Sequence, residues 1–272
     1  MLAVSYMDKR FIAVLDSGVG GLHVLDHLHR ALPGESTLYL ADTARLPYGS
    51  KSRATVLSYA RQAARFLCKQ RALKLLVVAC NTASAAALSQ LQQELPIPVV
   101  GTVTATAQAA CVSHPRHIAV LATTQTVQWQ AYVTALRQQG FAGKIYQQAC
   151  PLFVSLVEEG WLDHPVTQMV AQHYLSGMPR DTDLVILGCT HYPQLQPLLM
   201  RLAPHVGVWI DSGTVMAQQV REQLAQSNDL AVQQQGQRQY LVTDSPQWFT
   251  KLANRFLRDQ VNGRQVTRVD LT

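Results

Sequence analysis

Short apolar runs alternate with longer amphipathic segments from one end of the chain to the other. The runs at 11–15 (FIAVL), 37–41 (TLYLA), 75–79 (LLVVA), 97–101 (IPVVG), 117–122 (HIAVLA), 144–148 (KIYQQ), 184–188 (LVILG) and 206–210 (VGVWI) predict strands. Most are apolar throughout rather than alternating, as in strands covered on both faces. Between them, Leu22–Ala31 and 54–73 repeat apolar residues at helical steps, the second through Val56, Ala60, Ala63 and Leu67. This rhythm of strand, helix, strand predicts an α/β fold with parallel sheets under helices. The Gln-rich stretch 226–239 reads as a surface loop plus the start of a final strand.

The pattern also repeats at long range. Residues 10–15 (RFIAVL) and 116–121 (RHIAVL) agree at five of six positions, 106 residues apart. LLVVACNT around Cys80 and LVILGCTH around Cys189 follow at nearly the same offset, 109 residues. Two pairs in the same order and almost in phase predict two similar α/β halves facing each other, each with one cysteine at the carboxyl end of a strand.

Composition narrows the class. The chain has 272 residues, 48% hydrophobic and only 15% charged, enough for a sizeable core in one large or two modest domains. No apolar run approaches the roughly 18 residues of a membrane span, and Asp8, Lys9 and Arg10 interrupt the start too early for a signal peptide, so a cytoplasmic location is expected. The net charge of +6 comes from scattered basic residues, densest between Lys51 and Arg71 at near-helical spacing. That spacing reads as a solvated helix face, and without stacking aromatics nucleic-acid binding is not the expected role. Five cysteines, odd in number and widely spaced, form neither a disulfide framework nor a zinc knuckle.

Ligands of open α/β sheets bind beyond the carboxyl ends of the strands. The residues there are Asp16-Ser17-Gly18, Asp42-Thr43, Cys80-Asn81-Thr82, Thr123-Thr124, Cys189-Thr190-His191 and Asp211-Ser212-Gly213. DSGVGG at 16–21 falls short of a dinucleotide fingerprint, because His23 occupies the third glycine position and Asp16 would face the pyrophosphate. Cys68, Cys111 and Cys150 read as core fillers. Cys80 and Cys189 each precede a helical pattern, where a helix N-terminus favours the thiolate. One such thiolate on each half suits a two-base reaction, in which one sulfur removes a proton from a carbon and the other delivers one to its opposite face. Ser17, Asn81, Thr82 and Thr190 are candidate donors to a substrate carboxylate, and Asp16 and His191 candidate tuners of the thiols, although His191 also reads as a helix cap. A metal site of Cys80, Cys189 and His191 has weak spacing, so neither metal nor cofactor is expected.

The segments IAVLDSGVGG, ADTARLPYGSKS, VVACNTAS, LGCTHYP, WIDSG and TDSPQWFTKLANRFL closely resemble, in order, those of the glutamate racemases, cofactor-independent enzymes that make D-glutamate for peptidoglycan. The resemblance implies that Cys80 and Cys189 are the catalytic acid/bases, helped by Asp16 and His191. It implies substrate contacts at Asp16, Ser17, Pro47, Tyr48, Gly49, Asn81, Thr82, Thr190 and His191. Glu158, with Glu159 beside it, matches a further acidic position of some members. Also implied are a first α/β domain from 1–99 and 208–272, a second from 100–207 with the cleft between them, and a homodimer. His23 stands where many members have Thr. With fifteen residues before Asp16, the N-terminal extension associated in some members with activation by a UDP-muramoyl-alanine precursor is not expected. The competing expectations are a racemase of aspartate or another acidic amino acid, and a non-enzymatic protein that binds an amino acid or nucleic acid.

Overall fold

The computed structural model describes residues 8–271. Residues 1–7 and 272, which include most of the start weighed as a signal peptide and both ends of the expected first domain, lie outside the described residues. Strand and helix alternate as β1 (Phe11–Asp16), α1 (Leu22–Ala31), β2 (Ser36–Ala41), α2 (Arg53–Gln70), β3 (Leu73–Val78), α3 (Asn81–Glu94) and β4 (Val99–Gly101). The chain continues through α4 (Thr102–Val112), β5 (His117–Ala122), α5 (Thr124–Gln128), α6 (Ala131–Gln138), β6 (Lys144–Ala149), α7 (Leu152–Glu158), α8 (Pro165–Leu175) and β7 (Leu184–Gly188). It closes with α9 (Gln196–Leu202), β8 (Val208–Asp211), α10 (Ser212–Gln226), β9 (Arg238–Val242), α11 (Pro246–Phe256) and β10 (Val266–Arg268).

The strands form two sheets, β10-β9-β2-β1-β3-β4 and β6-β5-β7-β8, and every pairing is parallel. Helices cover the faces, as the continuous apolar strands require. The sequence echo has a direct structural counterpart. β1 pairs with β3, which leads to Cys80, and β5 pairs with β7, which leads to Cys189. In both sheets the register brings the carboxyl ends of the two strands level to within a residue, Leu15 with Val78 and Ala122 with Gly188.

Three expectations about boundaries are corrected. The strand foreseen at 97–101 begins only at Val99, since Pro98 has no N–H to contribute and only its carbonyl pairs, with the Leu76 N–H at 3.0 Å. Val206 instead closes a turn on Ala203 (3.2 Å), and β8 starts at Val208. The expected change of domain at 207/208 therefore falls one strand early: β8 pairs with β7 and belongs to the second sheet, while β4 keeps 100–101 in the first. β10 carried no sequence signal beyond three residues.

One apolar core runs through both lobes, from Ile12 and Val14 to Leu187, Tyr192 and Phe249, while each lobe keeps a smaller core on its other sheet face. Each fully buried Leu, Ile or Val contributes about 1.5–3 kcal/mol. Local signals start three of the helices. Ser52 accepts the Thr55 N–H (3.3 Å), Ser245 that of Trp248 (3.2 Å), and Asp211 those of Gly213 and Thr214 (2.7 and 3.2 Å). The basic stretch is a solvated face of α2, where Arg61 and Arg65 pair with Glu94 at 3.0 and 3.1 Å. No helix among the described residues is long and apolar enough to cross a membrane.

His29 is buried against Thr37, with its Nε2 2.9 Å from the Thr37 hydroxyl. Burial, aided by the nearby Arg238 cation, pushes its pKa down to about 4 from 6.5. The unfolded chain thus binds a proton that the folded chain refuses, so stability holds above pH 6.5 and falls as pH drops from 6.5 toward 4, by roughly 3 kcal/mol from this residue. Thermal melts across that window are expected to show the fall, and His29→Gln to flatten it.

Candidate active site

The carboxyl ends of β1, β3, β5 and β7 point at one another across the two lobes and enclose a cavity of about 150 Å³. A volume of that order holds a benzene-sized molecule. Larger hollows lie between α1 and α10 and beside the loop before β6, but they are open grooves without Cys80 or Cys189.

Eleven of the twelve site residues expected from sequence line this cavity. Ser17 comes from the loop after β1. Pro47, Tyr48 and Gly49 come from the loop after β2, Cys80, Asn81 and Thr82 from the start of α3, Glu158 from the end of α7, and Cys189, Thr190 and His191 from the turn after β7. The exception is Asp16, which lies just behind the wall, 1% exposed. One of its oxygens accepts the Gly18 N–H at 2.9 Å and the other has no partner in the protein. Of the two acidic candidates, Glu158 reaches the cavity, and exposed Glu159 does not. Cys68, Cys111 and Cys150 stay outside it.

Sequence reasoning missed part of the wall. Leu46, Ser50, Pro151, Val154 and Ser155 complete it, together with Gly18, Thr123 and Thr124, strand-end residues to which the sequence assigned no role. Pro151, Val154 and Ser155 ride on α7 and its start, whose sequence carries apolar helical residues and no chemical motif. Only packing turns that face inward.

Close approach of the lobes depends on two glycines. A Cβ on Gly20 would stand 2.3 Å from Thr190 Oγ1 and 2.5 Å from His191 Nδ1, and one on Gly49 would stand 2.9 Å from Thr123 Cβ. Hydrogen bonds then close the seam: Thr82 Oγ1 to Thr123 Oγ1 at 3.0 Å, and the Tyr132 hydroxyl donating to Asn81 Oδ1 at 2.6 Å. That bond leaves the Asn81 amide nitrogen buried without a partner, a donor at the cavity wall whose burial costs about 1–3 kcal/mol until something accepts from it. Tyr48 is held from behind, since its hydroxyl donates to buried Asp42, which also accepts from Arg45 Nε (2.7 Å) and the Thr243 hydroxyl (3.0 Å).

The two thiols sit in different fields. Cys80 caps α3, its sulfur accepting the Ala83 N–H at 3.5 Å and lying 3.6 Å from the Ser17 hydroxyl. Burial, and then the Asp16 charge, push its pKa up to about 12 against those two hydrogen bonds, so Cys80 is a thiol at neutral pH. Burial likewise raises Asp16, opposed by the Gly18 N–H and the His191 charge. Cys189 has His191 Nδ1 at 3.9 Å, and His191 Nε2 lies 3.0 Å from Glu158 Oε1. Burial lowers the His191 pKa, but hydrogen bonds to Cys189 and Glu158 outweigh it and raise the value to about 10. His191 is therefore an imidazolium at neutral pH, donating from both ring nitrogens. The arrangement is suited to proton transfer on a small molecule held between two sulfurs.

Two parallel-sheet α/β lobes that each bring a cysteine to a shared closed cavity define a cleft enzyme of the racemase class. The family model for Asp/Glu/hydantoin racemases matches residues 12–220. A glutamate racemase of Geobacter metallireducens is 44% identical over 92% of this chain and 94% of its own. Among solved structures, the glutamate racemase of Thermus thermophilus in complex with β-chloro-D-alanine is 42% identical with a TM-score of 0.89, covering 98% of this chain and 99% of that one. That of Francisella tularensis in complex with D-glutamate is 33% identical with a TM-score of 0.90, covering 97% and 99%. The chain belongs to the Asp/Glu/hydantoin racemase family, on its glutamate racemase branch, and is an isomerase.

Gly20→Ala should hold the lobes apart at Thr190 and His191. Overpacking of this kind costs about 1–3 kcal/mol, to be read as a lower unfolding midpoint in denaturant, while a crystal structure of the variant is expected to show a widened seam. An unchanged midpoint and seam would refute the contact.

Proposed function

We propose that the protein interconverts L- and D-glutamate by two-base proton transfer at the α-carbon, with Cys80 and Cys189 as the acid/base pair. The observation that carries this reading is that both sulfurs line one small cavity from different lobes. In one direction the Cys189 sulfur takes the α-proton as the S–H bond forms and the C–H bond breaks. The Cys80 S–H proton then passes to the opposite face of the carbon. The substrate inverts with no net change in atoms or charge, and the thiols end with their protonation exchanged, ready for the reverse direction. Cys80, held as a thiol by burial and Asp16, begins as the acid, while the His191 imidazolium supports negative charge on Cys189.

Asn81, Thr82, Ser17 and Thr190 supply donors for the substrate carboxylates, and Tyr48 and Gly49 close the cavity over it. Asp16, buried just behind the wall with one oxygen unpartnered, acts through its charge on Cys80. Glutamate is the favoured substrate because a relative of the same fold was crystallised with D-glutamate. In the cell the product serves peptidoglycan synthesis, and the enzyme works in the cytoplasm as a homodimer.

Each enantiomer of glutamate and of aspartate, incubated with the enzyme in deuterated water, tests substrate and chemistry together. Glutamate is expected to lose its α-proton from both enantiomers. Exchange with aspartate alone, or with neither, overturns the reading. Cys80→Ala and Cys189→Ala are each expected to cut kcat at least about 10³-fold.

The pH profile follows from His191. The imidazolium persists below about pH 10 and is lost as pH rises through that value, so activity should fall on that alkaline limb. Glu158→Gln removes the anion that raises it, and the limb is expected to move to lower pH. An unmoved limb would take His191 out of the mechanism.

A further inference from the structure

His23 and His27 stand four residues apart on α1 and so share one face of the helix, their ring centroids 4.7 Å apart. Asp211, 188 positions beyond His23, closes β8 and places its Oδ1 2.8 Å from His23 Nε2. One donor atom from each of the three residues lies within 4.8 Å of the other two, and all three side chains are half-buried and reachable from solution. The Thr214 hydroxyl supports the group from behind, 3.3 Å from His27 Nδ1 and 3.3 Å from Asp211 Oδ2. Gly213 clears the space in which both rings sit, since a Cβ there would stand 2.7 Å from His23 Nε2 and 2.8 Å from His27 Cδ2.

We propose that His23, His27 and Asp211 form a site for a zinc-class divalent cation that ties the first lobe to the second. Two imidazoles and a carboxylate are a three-ligand set for Zn²⁺, with the remaining position open to water. Nitrogen donors disfavour Ca²⁺ and Mg²⁺, which take oxygen. The His23–Asp211 hydrogen bond gives way to two bonds to the metal, with movements confined to side chains. Thr214, touching a ligand imidazole and the ligand carboxylate, fills the outer-shell role that orients such groups.

The location gives the cation a consequence. α1 follows directly on the DSGVGG loop, whose Gly20 lies against Thr190 and His191, and Asp211 ends the edge strand of the second sheet. A cation bridging them fastens the lobes beside the seam of the cavity without entering it.

The test uses full-length protein freed of any affinity tag and stripped with chelator, in a Cys80→Ser/Cys189→Ser background so that the cavity thiols take up no metal. Calorimetric titration with ZnCl₂ is expected to show one equivalent bound at micromolar affinity or tighter, with a raised melting temperature and no saturable heat from CaCl₂ or MgCl₂. His23→Gln and His27→Gln should each weaken binding at least about tenfold. Zn²⁺ affinity unchanged in both variants, or no saturable binding in the parent, overturns the proposal. Should either variant fail to fold, histidine ¹⁵N spectra of the parent decide. Zn²⁺ must shift the ring nitrogens of His23 and His27, and resonances that stay in place reject the site.

Discussion

The two lobes meet at a glycine. Gly20 lets the loop after β1 lie against Thr190 and His191 with no room for a methyl group, and this approach turns an open cleft into a cavity of about 150 Å³. Burial weakens solvation of the Asp16 carboxyl, the Cys80 thiol and the His191 ring, so each takes its protonation state largely from the groups around it.

The result is an asymmetry between two sulfurs that the fold places symmetrically. β1 with β3 and β5 with β7 repeat the same strand pairing, and each pair ends on a cysteine. The surroundings differ. Cys80 has a buried carboxylate behind it and rises to about 12, whereas Cys189 has the imidazolium of His191, anchored by Glu158. That asymmetry is what the proposed two-base reaction requires, one acid and one base at the start of each turnover. The unpartnered polar atoms fit the same picture. Asn81 Nδ2 at the cavity wall and Asp16 Oδ1 just behind it are left without protein partners, polar atoms whose burial a packed core alone would not favour.

Much of this was legible in the chain, for identifiable reasons. Strands buried on both faces leave continuous apolar runs, and residues just past the ends of parallel strands are the ones that meet a ligand. Cys80, Asn81, Thr82, Cys189, Thr190 and His191 could therefore be picked out by position before any distance was known. Strand ends were less secure. Pro98 shortened β4 because it lacks an N–H, β8 starts two residues late because Val206 closes a turn, and the pairing of β8 with β7 keeps 208–211 in the second sheet. Hydrogen-bond pairing decides such ends, and hydrophobicity does not register it.

By itself the sequence determined the parallel α/β class, the duplication, and which two of five cysteines line the cavity, because periodicity and local motif are encoded within a few residues of each position. Only the tertiary structure decided that Asp16 stands behind the wall, that Glu158 rather than Glu159 reaches His191, that α7 completes the cavity, and that Asp211 joins the two histidines of α1. Each of these is a contact between residues remote in sequence. Its existence depends on the rotation of a helix or the approach of two lobes, and these are settled by packing across the whole molecule.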